Sequence, residues 1–256
     1  MRTFGLIGYP LGHSFSVPYF TRKFEEQGID AVYRNFPMKD TYVLPELLRK
    51  EKRLVGLNVT VPHKQAVIPY LDGMDAVSGS IGAVNTIMVR REGERIFLQG
   101  HNTDVTGFRR SLVEHLEPRH DKALVLGTGG SSRAVVHVLR ELHIPCQMVS
   151  RSGKGDALTY EALNGEILEA HRLVVNTTPL GMHPGVEGFP PIPYSAISPE
   201  HLLFDLIYNP EKTRFLTLGE ERGASIVNGY DMLVYQAEAS WEIWNSKENH
   251  DHGTGA

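Results

Sequence analysis

Residues 122–142 read KALVLGTGGSSRAVVHVLREL: a short uninterrupted apolar run, a glycine-rich turn, then a long helical pattern. An apolar run of this kind is what a strand buried on both faces of a parallel sheet looks like. Gly127 and Gly129 fall between strand and helix. The first lets the chain turn sharply, and the second removes a side chain so that the backbone can approach a pyrophosphate at the positive end of the helix. Ser132 and Ala134 are small where that helix packs closely, although the third glycine of the full fingerprint is absent. Glycine turns also join strand to helix in α/β proteins that bind no nucleotide. The context here, one βα unit in a series, points to a dinucleotide.

On both sides of this stretch, apolar runs alternate with amphipathic ones, which predicts an α/β fold with largely parallel sheets. TFGLIG (3–8), AVYRNFPM (31–38) and LVGLNVTV (54–61) read as strands, with helical patterns near residues 17–27 and 40–51 between them. AVNTIMVRREGERIFLQG (83–100) reads as a hairpin about REGER and interrupts the rhythm. A second series begins at residue 122 and continues through CQMVSR (146–151), RLVVNTTP (172–179), LLFDLIY (202–208) and ASIVNG (224–229). The expected organisation is an N-terminal α/β domain over residues 1–103, a Rossmann-like domain over residues 104–229, and a ligand cleft between them. The helical pattern at 230–245 is expected to return to the first domain. Residues 246–256 are polar and unpatterned and read as a disordered tail, in which His250 and His252 are not expected to form a metal site.

A chain of 256 residues, 41% of them hydrophobic, can bury a sizeable core, and its formal charge of −4 is spread without a basic run. Nucleic acid is an unsuitable partner for such a surface. No apolar segment approaches the length of a membrane span, and MRTFGLIGYP lacks the features of a signal peptide. The single cysteine, Cys146, rules out an internal disulfide framework, fits a reducing cytoplasm, and is expected as a small core residue.

The residues after the second strand of the Rossmann-like series discriminate between cofactors. NAD-binding domains place a carboxylate there for the ribose 2′-hydroxyl. This chain reads MVSRSGKG (148–155), so Ser150, Arg151, Ser152 and Lys154 offer hydroxyls and positive charge to a 2′-phosphate. NADP(H) is the expected cofactor, although Asp156 lies close by.

In the first domain, short polar residues gather at strand ends. Ser14 and Ser16 follow the first strand, where two hydroxyls can hold a carboxylate or cap the next helix; spacing alone favours the cap. Asn58 and Thr60 share one face of the third strand, with Lys64 just beyond. Asn85 and Thr86 open the hairpin, and Asn102, Thr103 and Asp104 close it. Neutral amides and hydroxyls in this number suit a polyol, because they satisfy donors and acceptors without imposing charge.

Taken in order, HSFS, NVTVPHK, GAVNT, HNTD, GTGGSSR, NTTPLGM, DLIYNP and GYDMLVYQA closely resemble the blocks of shikimate dehydrogenases, over residues 4 to about 240. The resemblance implies reversible, NADPH-dependent reduction of 3-dehydroshikimate to shikimate, within aromatic amino-acid biosynthesis. It implies that Ser14 and Ser16 hold the substrate carboxylate, and that Asn58, Thr60, Lys64, Asn85 and Asp104 surround the ring hydroxyls, with Tyr208 and Gln236 as further contacts. It places Gly127, Gly129, Gly130, Arg133, Ser150, Arg151 and Ser152 on the cofactor, Asn176, Thr177 and Met182 at its nicotinamide end, and Gly229 beside it. Lys64 is the expected proton donor, with Asp104 as its partner, and no metal is implied. Val17, Thr21 and Ser150 depart from residues common in the family, and Lys154 stands where a second arginine is frequent. Hinges are expected near Thr103 and Gly229. The competing expectations are a quinate/shikimate dehydrogenase that also uses NAD and a non-catalytic dinucleotide-binding module. Monomer and homodimer are both compatible with the sequence.

Overall fold

The computed structural model describes residues 1–12 and 14–246; His13, His250, His252 and all but the first residue of the expected tail lie outside them. The chain divides into two compact units, one made of Met1–Thr103 with the chain from Ala237 onward, the other of Asp104–Gln236.

The first unit is built on a six-stranded sheet. Its strands are β1 (Arg2–Gly8), β2 (Ala31–Pro37), β3 (Leu54–Val59), β4 (Gly73–Met74), β5 (Thr86–Glu92) and β6 (Arg95–His101), in the spatial order β2-β1-β3-β5-β6-β4. Pairing is parallel from β2 to β3, antiparallel through β5 and β6, and parallel again at β4. The hairpin read from the sequence is therefore present, turning at Gly93 with φ +61°. Helices α1 (Ser16–Glu26), α2 (Leu44–Lys50) and α3 (Ala76–Ile81) connect the strands. The two-residue β4 and the six-residue α3 are too short to show a period, and neither is legible in the sequence. Asp75 caps α3 by accepting the Ser78 N–H at 2.6 Å, and Gly82, left-handed at φ +65°, ends it.

The last helix of the fold, α8 (Tyr230–Trp244), spans the division between the units, which falls between Gln236 and Ala237 and not at Gly229. From Ala237 onward it packs in an aromatic cluster with Phe4, Phe20, Phe24 and Tyr33. Phe20 and Phe24 come from one face of α1, four residues apart. Trp244 is 2% exposed and donates its indole N–H to the Ile87 carbonyl at 3.1 Å. Gly56 is required beside it, because a Cβ there would stand 2.5 Å from the indole nitrogen. Glu238 accepts from Lys23 at 2.6 Å and from the Tyr19 hydroxyl, tying α8 to α1.

The second unit carries an all-parallel sheet in the order β11-β10-β9-β7-β8. Its strands are β7 (Ala123–Leu126), β8 (Cys146–Val149), β9 (Leu173–Asn176), β10 (Leu202–Asp205) and β11 (Ser225–Val227), and its helices are α4 (Asp104–Val113), α5 (Gly130–Glu141), α6 (Gly165–Ala170) and α7 (Arg214–Glu220). Every residue of the central strands β7, β9 and β10 is buried, which accounts for their unbroken apolar sequences. Cys146 departs from expectation. It is half-buried on the edge strand β8, where burial raises its thiol pKa and holds it in the unreactive thiol form.

Candidate active site

In the first unit, β1, β3 and β6 run in one direction and β5 in the other, so their pairing brings residues 8–16, 58–64, 85–86 and 102–103 to one edge of the sheet. Asn58 lies opposite Thr86 in the ladder, and Thr86 opposite His101. Here the small polar residues form a connected, buried network. Asn85 Oδ1 accepts the Thr103 N–H at 2.7 Å, and Asn85 Nδ2 donates to Thr103 Oγ1 at 3.0 Å. Thr86 Oγ1 is 3.2 Å from Thr103 Oγ1 and 2.8 Å from Ser240 Oγ, which α8 supplies. Asn58 Nδ2 donates to Ser240 Oγ at 2.9 Å, and Asn58 Oδ1 accepts the Tyr33 hydroxyl at 2.7 Å.

Asn58, expected on the substrate ring, is 4% exposed, and both ends of its amide are hydrogen-bonded to protein groups. Tyr33 and Ser240, which hold it, carry no signal in the sequence because each sits in an otherwise ordinary strand or helix pattern. Burial pushes the Tyr33 phenol pKa far up, opposed by its hydrogen bond with Ser16, so the phenol is a neutral donor.

Neither serine caps α1, contrary to the preference from spacing. The N-cap position is Phe15, which makes no side-chain capping bond. Ser16 turns inward to Tyr33, while the Ser14 hydroxyl is buried with no hydrogen-bond partner. Asn102 Oδ1 is also buried without one, its Nδ2 donating to the Ala83 carbonyl at 2.9 Å. Buried polar atoms left open in this way are uncommon unless something else satisfies them. Lys64 is half-buried at the end of a turn closed by His63 N–H to the Thr60 carbonyl, 2.9 Å, and its own carbonyl accepts the Val84 N–H at 2.7 Å. Its main chain is thereby fixed beside Asn85. Thr60 is half-buried at the start of the same turn.

In the second unit, Gly127 adopts φ +113°, and a Cβ there would stand 2.6 Å from Thr177 Oγ1. Only glycine fits. At Gly129 a Cβ would meet nothing within 4 Å, so the start of α5, where Gly130 and the exposed Arg133 lie, has the open cradle that a pyrophosphate needs. Beyond β8, Ser150 Oγ accepts the Gly153 N–H at 3.1 Å, which shapes a turn carrying Arg151, Ser152 and Lys154 on the surface. Asp156 is exposed, and its carbonyl accepts from Gln147 at 2.8 Å. These residues fit a 2′-phosphorylated dinucleotide.

Asn176 was expected to line the nicotinamide end, but it is fully buried. Its Nδ2 donates to Asp205 at 3.0 Å, and its Oδ1 accepts the Thr178 N–H and hydroxyl. Thr177, half-buried, donates its hydroxyl to the Leu126 carbonyl at 2.7 Å, and Met182 is 48% exposed. Gly229 is buried, and an added Cβ would run into the Leu206 carbonyl, so close packing requires glycine there. Tyr208 is half-buried, and Gln236, 7% exposed, donates to the Leu233 carbonyl at 3.0 Å. Asp104 is buried at the first position of α4. Among the described residues no cluster of histidine, cysteine or carboxylate could hold a metal, and no helix is long and apolar enough to cross a membrane.

A mixed six-stranded unit with a neutral polar rim, joined to a Rossmann-like parallel unit with a glycine cradle, defines a two-domain α/β protein of the dinucleotide-binding class. The family model for the shikimate dehydrogenase substrate binding domain matches residues 6–87. Shikimate dehydrogenase (NADP(+)) of Halothermothrix orenii is 38% identical over 94% of this chain and 89% of its own length. The crystal structure of shikimate 5-dehydrogenase from Thermus thermophilus in complex with NADP(H) and shikimate superposes with a TM-score of 0.83 at 30% identity, covering 96% of this chain and 94% of that one. Quinate dehydrogenase from Corynebacterium glutamicum in complex with NAD is similar too, with a TM-score of 0.82 at 26% identity over 95% and 93% of the two chains. The chain belongs to the shikimate dehydrogenase family.

Proposed function

We infer that this protein catalyses the reversible reduction of 3-dehydroshikimate to shikimate with NADPH, a step toward the aromatic amino acids. The observation that carries this is the joining, in one family member, of a rim of amides and hydroxyls beside Lys64 with a dinucleotide cradle followed by Arg151 and Lys154 in place of a carboxylate. Residues 1–103 with the last helix are assigned to the substrate, and 104–229 to the cofactor.

When bound, the dihydronicotinamide supplies the hydride. The residues of the chain supply the rest. As the substrate carbonyl gains negative charge, the Lys64 ammonium polarises its oxygen and delivers the proton that makes the hydroxyl; in the oxidative direction the neutral amine takes that proton back. Asp104 is assigned as its partner in proton transfer. Ser14 and Ser16 are assigned to the substrate carboxylate, and Thr60, Asn85, Tyr208 and Gln236 to the ring. Asn58 braces them. Gly127, Gly129, Gly130 and Arg133 hold the pyrophosphate, Ser150, Arg151 and Ser152 the 2′-phosphate, and Thr177 and Met182 the nicotinamide end.

A second reading, oxidation of quinate with NAD, has support in the likeness to quinate dehydrogenase. The surface turn from Ser150 to Lys154 favours NADP, since no carboxylate stands there for a ribose hydroxyl. Initial rates with shikimate and quinate, each with NADP+ and NAD+, test both: shikimate with NADP+ is expected to be fastest, and a fastest rate with quinate and NAD+ would select the alternative. The lone cysteine supports a cytoplasmic setting. Monomer and homodimer both suit the assignment, and light scattering decides between them.

A further inference from the structure

We propose that Asp205, at the end of β10, is a positioning residue for the dinucleotide: it locks the loops after β9 and β10 into the shape that receives NADP(H). This rests on the cofactor assignment above and deepens it.

Asp205 ends an otherwise apolar strand, LLFD, and is completely buried. Three donors from three segments converge on its carboxylate. Asn176 Nδ2, at the end of β9, reaches Oδ1 at 3.0 Å; the Ile207 N–H, in the loop after β10, reaches Oδ1 at 3.0 Å; Thr213 Oγ1, which caps α7, reaches Oδ2 at 2.6 Å. Asn176 and Asp205 are ladder partners, so the bond between them joins neighbouring strands where both strands end. The chain of contacts continues outward. Asn176 Oδ1 accepts the Thr178 N–H at 3.0 Å and hydroxyl at 2.7 Å, and Thr177 Oγ1 donates to Leu126 at the end of β7, against Gly127. Ile207 in turn accepts the Gly229 N–H at 3.0 Å.

One carboxylate thus organises the carboxyl edge of β7, β9 and β10, the edge at which parallel sheets of this kind receive their ligands. A carboxylate is suited to the task because it accepts at both oxygens, whereas an amide has one acceptor and would turn an N–H toward one of the donors. Burial pushes its pKa up to about 6 against the pull of Thr213, Ile207 and Asn176. Keeping such a group inside a strand end has a cost, and a purely structural position is as well served by an apolar side chain.

The test is direct calorimetric titration of the full-length protein with NADP+, and separately with shikimate alone, for wild type and Asp205→Asn. The expected result is a Kd for NADP+ raised about tenfold, a Kd for shikimate raised by a clearly smaller factor, since of the residues assigned to the ring only Tyr208 lies on a loop that Asp205 holds, and a raised KM for NADP+ in steady state. Thr213→Val, which removes one of the three donors, is expected to move the NADP+ constant the same way by about threefold. It serves as the test if Asp205→Asn does not fold. Unchanged NADP+ affinity in the folded variants, or equal weakening of both ligands, would overturn the proposal. A wild-type protein that binds NADP+ without oxidising shikimate would remove the catalytic assignment and leave the Asp205 comparison standing; wild type that binds no NADP+ removes both.

Discussion

Tyr33→Phe removes one oxygen from the middle of the first unit and leaves the ring in place, so its effect can be worked out atom by atom. The hydroxyl donates to Asn58 Oδ1 at 2.7 Å and meets Ser16. Asn58 is 4% exposed, and Tyr33 is the donor to its Oδ1, so in the variant that carbonyl is buried without a partner. Leaving a buried acceptor unsatisfied costs about 1–3 kcal/mol, partly offset because the phenol no longer needs to be desolvated. A net loss of about 1.5 kcal/mol follows, equivalent to roughly 3–6 °C in Tm for a chain of this size. Ser240→Ala makes the control. Asn58 Nδ2 keeps Thr86 Oγ1 at 3.3 Å, and Thr86 keeps Thr103 Oγ1 at 3.2 Å, so each partner retains a neighbour and the loss is expected to be about 1 kcal/mol or less. Urea unfolding followed by tryptophan emission reads the right region, since both tryptophans, Trp241 and Trp244, lie on the part of α8 that belongs to the first unit. A change in stability on Tyr33→Phe of less than about 0.5 kcal/mol, or one smaller than that of Ser240→Ala, would refute this role for the hydroxyl.

Arg151→Ala is expected to raise KM for NADP+ by about tenfold and to leave KM for NAD+ unchanged, because a charged hydrogen bond to a 2′-phosphate has no counterpart in NAD; parallel changes for the two cofactors would place Arg151 elsewhere. Gly56→Ala drives a methyl to within 2.5 Å of the Trp244 indole nitrogen and is expected to cost about 2–4 kcal/mol with a red-shifted emission, whereas unaltered emission and stability would contradict the packing described. His120 is 2% exposed, and its pKa is lowered from 6.5 by burial and by the neighbouring Arg119. The unfolded chain therefore takes up the proton first. The contribution of His120 is present above pH 6.5 and is lost as pH falls through its lower folded value. Stability of His120→Gln, measured from neutral to acid pH, should fall less steeply than that of wild type; equal slopes would refute this.

The sequence showed the strands and both series of βα units because buried parallel strands are apolar throughout and the connecting helices are amphipathic. It showed the cradle because Gly127 and Gly129 are demanded by backbone conformation and by ligand approach, and glycine has few other uses between strand and helix. What it hid was the inner layer of polar partners. Asn58 and Asn176 read as residues that face a ligand, since an asparagine at a strand end is usually exposed; only the fold shows Tyr33, Ser240 and Asp205 closing their hydrogen bonds from distant parts of the chain. Asp205 did leave one trace, a carboxylate completing an apolar strand. Ser14 and Ser16 misled for a related reason. Hydroxyls before a helix have two uses, and capping was excluded only once Phe15 was seen at the N-cap position.

Lys64 is the assigned proton donor, and steady-state kinetics of Lys64→Ala, with NADPH and 3-dehydroshikimate varied in turn, test that assignment most directly. A kcat lowered by about 100-fold or more, with little change in either KM, is the expected result. A kcat near that of wild type would contradict it.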